Sequence, residues 1–373
     1  MRARFLHSMQ DALNLVRSGQ LQQATQLIQQ NLRRDVRRPQ PKSEPTEAEV
    51  IEAQVLRKTS AKPEAPVVEK EEVRASAATQ QGRREPQFLN RSFSNEYGSR
   101  DYKLYIPSSY IDEPLPLVIM LHGCTQDAED FALGTAMNQL AEEFGVLVAY
   151  PNQNKTANSK RCWNWYKPQN QQTNRGEPAI IAGITQAVMR NYHVDPKRVY
   201  VTGLSAGGAM ASIMGATYPD LYAAVGVHSG IAAGSASNVI SALAVMRKGS
   251  LNLKEDKSGL RSFVPTIVFH GDRDVIVNLR NAEQVFAQAK QRLEASNDAY
   301  FNTEQSTVNP NKGHAYTCTK MQDGAGNTQL EYWLVHGAGH AWSGGEQRGS
   351  YVDPAGPNAS REMLRFFLEH PQQ

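Results

Sequence analysis

Apolar positions recur along this chain in two different periods, separated by a stretch with neither. Leu6, Met9, Leu13 and Val16, then Leu21, Ala24, Ile28 and Leu32, fall at helical spacing around Gly19, which predicts a helical hairpin over residues 1–34. Residues 35–88 carry Pro, Lys, Glu and Ala with few large apolar side chains. Such text buries too little surface to offset its ordering entropy and reads as a disordered linker. A globular domain is expected over 89–373, beginning near Gln87.

Within that domain, short continuous apolar runs alternate with helical stretches. Residues 93–106 alternate in polarity, as one or two antiparallel edge strands would. Leu115–Leu121, Val146–Tyr150, Val199–Val201, Ala223–Val227, Thr266–Phe269 and Leu330–Val335 read as strands. The first of these runs has the unbroken apolarity of a strand covered on both faces. Helices are expected over 177–192, after Ser205, over 281–293 and over 360–368. Strands and helices alternating at this spacing predict an α/β fold, a doubly wound and mostly parallel sheet whose site lies at the carboxyl ends of its strands.

Composition narrows the partners more than the fold. A formal charge of +3 with no basic stripe interleaved with aromatics gives no case for nucleic acid. Cys124, Cys162 and Cys318 are too few and too scattered for a disulfide framework or a zinc site, so no metal is expected. The first residues lack the apolar core of a signal peptide, and no later run approaches a membrane span; the cytoplasm is the expected compartment. There, Cys124 and Cys162 would be free thiols, whereas an oxidising compartment would let them pair. The hairpin is read as a partner or self-association element, or as a docking element for an apolar surface such as a polymer granule.

The candidate chemistry lies at the strand ends. Gly203-Leu-Ser205-Ala-Gly207 is a G-x-S-x-G between a strand and a helix, the setting that lifts a serine hydroxyl over the end of a sheet. His270-Gly-Asp272-Arg-Asp274 and His336-Gly-Ala-Gly-His340-Ala-Trp342 follow two later strands. Serine, acid and histidine thus come in the chain order of α/β-hydrolases. A serine hydroxyl needs a neutral imidazole to take its proton, and the imidazole needs an acceptor on its other nitrogen. His340, flanked by glycine on a loop, is the candidate base; His336 and His270 are read as structural. Asp274 lies far enough past its strand to reach a histidine, whereas Asp272 would cap backbone N–H groups in the turn. Two backbone N–H groups are needed for the oxyanion: Ala206, after the serine, and Cys124, in the His122-Gly-Cys124-Thr-Gln126 loop. Trp163, Trp165 and Trp342 are either core packing or the lining of an ester pocket.

Together with Cys162-Trp-Asn-Trp-Tyr166, these motifs resemble the polyhydroxybutyrate (PHB) depolymerase family of esterases, over about residues 90 to 370. The likeness implies an α/β-hydrolase fold, a Ser205-Asp274-His340 triad, Cys124 in the oxyanion loop and no cofactor. Feruloyl and acetylxylan esterases share the pattern. The resemblance therefore implies carboxylester hydrolysis more firmly than one substrate, with polyester or its oligomers first and aryl or acyl esters second. An inactive hydrolase fold serving as a scaffold is the reading from another class; the intact Ser205, Asp274 and His340 argue against it. Intracellular members of the family resemble this chain more closely than secreted ones, down to an N-terminal hairpin and linker.

Overall fold

A computed structural model describes residues 85–111, 113–250, 263–296 and 301–372. The hairpin expected over 1–34 and nearly all of the linker expected over 35–88 lie outside the described residues.

In chain order the strands are β1 (Gln87–Asn95), β2 (Gly98–Ile106), β3 (Leu115–Leu121), β4 (Leu147–Pro151), β5 (Val194–Leu204), β6 (Ala224–His228), β7 (Thr266–Gly271), β8 (Asn302–Val308), β9 (Tyr316–Gln322), β10 (Thr328–Val335), β11 (Trp342–Ser343) and β12 (Val352–Asp353). The helices are α1 (Ala128–Thr135), α2 (Met137–Phe144), α3 (Gly176–Asn191), α4 (Ala206–Thr217), α5 (Val239–Lys248), α6 (Arg280–Ser296) and α7 (Ala359–Leu368). Ten strands form one sheet in the order β1-β2-β4-β3-β5-β6-β7-β10-β9-β8. The six from β4 to β10 run parallel; β1 and β2 at one edge, and β9 and β8 at the other, are antiparallel. This is the doubly wound, mostly parallel sheet that the strand–helix alternation predicts.

The central strands are apolar on both faces because helices cover both. Leu117, Ile119 and Leu121 of β3 pack with α3, α4, α5 and α6, whereas Val118 and Met120 pack with α1, α2 and α7. Each face buries its residues at period two, so one continuous run serves two cores. Pro196 sits in β5 where the β3–β5 register slips, between the pairs Leu115–Val194 and Leu117–Val199. A proline is tolerated there because the irregularity removes the ladder bond it could not donate.

Strand order reverses between β3 and β5, so the loop after β3 and the turn after β5 open onto one crevice. Across the sheet, Leu121 is level with Gly203, Leu204 with His228, His228 with Phe269, and Gly271 with Val335. The register thereby aligns the ends of every strand that carries a candidate residue.

Candidate active site

Ser205 lies between β5 and α4 with φ 57° and ψ −116°, a backbone conformation rarely adopted by a residue with a side chain. It is held there by hydrogen bonds at both of its peptide groups: Ser205 N–H to His228 O at 2.9 Å, and Ala209 N–H to Ser205 O at 2.8 Å. The flanking glycines are needed for close approach. A Cβ on Gly207 would stand 1.9 Å from Leu121 O, and one on Gly203 would stand 2.5 Å from the same oxygen. Strand β3, the serine turn and α4 can therefore meet only through glycine.

The loop after β3 carries His122, Gly123 and Cys124. His122 is buried, and burial lowers its pKa to about 4, so the ring is neutral. Its Nε2 accepts the Gln153 N–H at 3.0 Å, which places the ring proton on Nδ1, 2.7 Å from Gly123 O. Gln153 in turn belongs to a buried cluster in which Glu177 receives Arg100, the Gln153 side chain, and both the backbone and side-chain N–H groups of Asn164. The loop after β3 is thus fixed from beneath. Among the described residues no acceptor is paired with the Cys124 N–H. Ala206 N–H, the first of α4, is one of the donors a helix cannot satisfy internally.

Cys124 and Cys162 form a disulfide across 38 residues of sequence, with their Cα atoms 4.2 Å apart. This overturns the expectation of free thiols. The connection after β4 folds back over the β3 loop, where Thr125 N–H donates to Lys160 O at 2.7 Å and Arg161 pairs with Asp127 at 2.9 Å, and the two sulfurs meet. Cys318 is free and buried, and burial pushes its thiol up to about 12, out of reach of ordinary thiolate chemistry.

Beyond β7 and β10 the structure makes two Asp–His pairs. Asp274 Oδ2 lies 2.6 Å from His340 Nδ1, and its Oδ1 accepts the N–H groups of Ile276 and Val277 at 2.9 and 2.8 Å. Burial opposes ionisation of Asp274, but the His340 hydrogen bond and charge, the Val277 N–H and His270 outweigh it and hold the carboxyl below its ordinary value. His270 is buried beside this carboxylate, its Nε2 2.8 Å from Val277 O and 3.4 Å from Asp274 Oδ2. Asp272 pairs instead with His336 at 3.1 Å and accepts the Gly337 N–H at 2.7 Å, so it does cap a backbone group. With Nδ1 of His340 turned to a carboxylate, Nε2 is the nitrogen left to accept a proton.

Trp163 and Trp342 are fully buried and Trp165 nearly so. Trp163 packs against His122, while Trp342 packs against Phe131 and His228 and donates its indole N–H to Ser360 at 3.0 Å. All three brace the loops of the site from inside and present little or no surface to a ligand. Two residues in this neighbourhood have no counterpart in the sequence reading. Tyr351, half exposed with φ 54°, sets its hydroxyl 3.1 Å from Thr125 Oγ1, beside the Cys124 loop. His228, at the end of β6, is buried under the site. A histidine closing the strand between the serine and acid strands was the available signal for the second. Among the described residues no cluster of His, Cys, Asp and Glu could hold a metal ion, and no helix is long and apolar enough to cross a membrane.

Residues 100–307 match the sequence profile of the Esterase PHB depolymerase family. A poly(3-hydroxyalkanoate) depolymerase C of Paucimonas lemoignei is 32% identical over 206 residues, covering 53% of this chain and 49% of that protein. A probable acetylxylan esterase A of Neosartorya fischeri is 36% identical over 154 residues, 40% of each chain. The aligned segments thus span half or less of these curated relatives. An acetyl xylan esterase from Aspergillus awamori superposes with a TM-score of 0.57 at 19% identity, covering 76% of this chain and 99% of that one, which is a likeness of fold.

Proposed function

The chain belongs to the Esterase PHB depolymerase family, and on that premise we propose that it is a serine carboxylester hydrolase. Ser205 is the nucleophile, His340 the general base and Asp274 the acid that orients it. The observation that carries the reading is the 2.6 Å contact between the buried Asp274 and His340, on the same sheet edge as the strained Ser205 turn. Ser205 Oγ attacks the ester carbonyl while His340 Nε2 takes its proton. The Cys124 and Ala206 N–H groups receive the oxyanion, fixed in advance by the disulfide and by α4. His340 then protonates the departing alcohol, and water releases the acyl group from Ser205 by the same route. Ser205, His340 and Asp274, with the Cys124 and Ala206 N–H groups, supply every protein group this chemistry needs.

The substrate proposed first is poly(3-hydroxybutyrate)-type polyester or its oligomers, in line with the family and with the depolymerase relative. An acetylxylan- or feruloyl-type ester is the second reading, favoured by the 36% identity to a probable acetylxylan esterase. The Cys124–Cys162 pair favours an oxidising compartment over the cytoplasm. A fluorophosphonate probe should label the wild type and not Ser205→Ala, and that substitution should lower turnover about 10⁶-fold. Labelling that survives the substitution would remove Ser205 from the mechanism. Rates on hydroxybutyrate oligomers, acetylated xylan and feruloyl esters then separate the substrates, and a folded chain inert on all of them would leave the scaffold reading.

A further inference from the structure

His228 is 1% exposed and ends β6, the strand between the one that carries Ser205 and the one that precedes Asp274. Its main chain and its side chain are engaged by different loops of the site. The carbonyl oxygen accepts the Ser205 N–H at 2.9 Å. The ring Nε2 lies 3.0 Å from the Ser343 N–H, three residues beyond His340. A backbone N–H can only donate, so Nε2 carries the lone pair and the ring proton sits on Nδ1, 3.2 Å from Ser229 Oγ. The imidazole also stacks on Trp342 at 4.9 Å and on Phe269 at 5.8 Å.

Packing alone does not call for an imidazole here. A phenyl ring would fill the same aromatic slot without burying two polar nitrogens. What the imidazole adds is an acceptor for one N–H of the base loop. Burial holds its pKa well below the ordinary histidine value, and His270 and His340 act in the same direction while Asp274 opposes them. The environment thus favours the neutral ring, the form that can accept.

Taking Ser205 and His340 as nucleophile and base, we infer that His228 is a positioning residue that registers the nucleophile turn against the base loop. Its carbonyl fixes the one, its ring nitrogen the other, and the rigid end of β6 sets the span between them. A displacement of about 1 Å between reacting groups can lower a rate by the order of 10²-fold, so one hydrogen bond at this point has leverage on turnover.

The test uses the full chain and three variants, His228→Phe, His228→Gln and His228→Asn. Glutamine can place an oxygen near the position of Nε2; asparagine is too short to reach the Ser343 N–H. Active sites are titrated with a fluorophosphonate, and kcat and KM on p-nitrophenyl acetate are expressed per titrated site. His228→Phe should lower kcat roughly 10- to 100-fold with KM nearly unchanged. His228→Gln should recover most of that loss and His228→Asn should not. Amide exchange at Ser343 should be faster in the phenylalanine and asparagine variants. If His228→Phe does not fold, the glutamine and asparagine variants decide the matter. Equal kcat in those two at equal melting temperature would overturn the inference, as would unchanged protection of the Ser343 amide. If the wild type is not labelled at Ser205, the nucleophile assignment fails separately, and the Ser343 amide still decides whether His228 holds the loop.

Discussion

The loops after β7 and β10 form two Asp–His pairs, their members two and four positions apart, and the two pairs are not equivalent. Asp274 and His340 meet with the carboxylate fully buried and the imidazole side chain 10% exposed; Asp272 and His336 meet with side chains 31% and 36% exposed. In the first pair three protein N–H groups converge on one carboxylate, so its charge is fixed in place and shielded from water. The second is open to solvent, which weakens the contact, and the pair works as a clasp that also holds the Gly337 N–H. Spacing from the strand end decides the outcome. Asp272 leaves the sheet within the turn, whereas Asp274 follows it and turns back under the His340 loop, closed there by the Ile276 and Val277 amides.

If that difference in burial sets function, substitutions at matched positions should diverge widely. His340→Ala should lower turnover by about 10⁶-fold, the scale of losing a base that acts as a unit with its nucleophile. His336→Ala should change it by less than about fivefold, the equivalent of a solvent-exposed polar contact worth ~1 kcal/mol at most. Steady-state kinetics on a soluble ester would reveal any convergence of the two, and convergence would erase the distinction between the pairs.

The acids should separate by a smaller margin. Asp274→Asn should lower kcat about 10⁴-fold, because an amide favours the imidazole tautomer with the proton on the wrong nitrogen. Asp272→Asn should act on stability instead, by about 1 kcal/mol or less. If the two kinetic effects came out in reverse, the roles of Asp272 and Asp274 would be exchanged.

The smallest effect concerns acid stability. The Asp274 carboxyl is held below its ordinary value of 3.8 in the folded chain, so its ionised form stabilises the fold. That contribution is complete above the unfolded value and is lost as pH falls below 3.8 through the lowered folded value. Melting temperatures measured from pH 5 to pH 2 should therefore fall more steeply for the wild type than for Asp274→Asn. Parallel curves would mean that the carboxylate gains no net stabilisation from its partners.

The N-terminal edge of the domain and the far end of its sheet were differently legible. Gln87–Asn95 and Gly98–Ile106 are the antiparallel edge pair expected from alternation over 93–106, although the first strand starts earlier than the alternation does. By contrast, Asn302–Val308 is exposed at every position and carries no alternation that could mark it as a strand. Its pairing with β9 supplies what its side chains do not. Helix α5 presents no apolar stripe to a core either: Val239, Ile240 and Leu243 face outward, and only Ala242 and Val245 are buried.

Sequence by itself determined what depends on near neighbours along the chain. The Ser205 turn, its two obligatory glycines, the parallel core and the placing of serine, acid and histidine after separate strands all follow from local period and from steric limits of single residues. Only the tertiary structure decided what depends on loops meeting across the sheet. It paired Cys124 with Cys162, sent Trp163 and Trp342 inward, and put His228 beneath two loops at once. A strand's period is written in consecutive residues; the register that brings Leu204 level with His228, and Gly271 level with Val335, belongs to the assembled sheet.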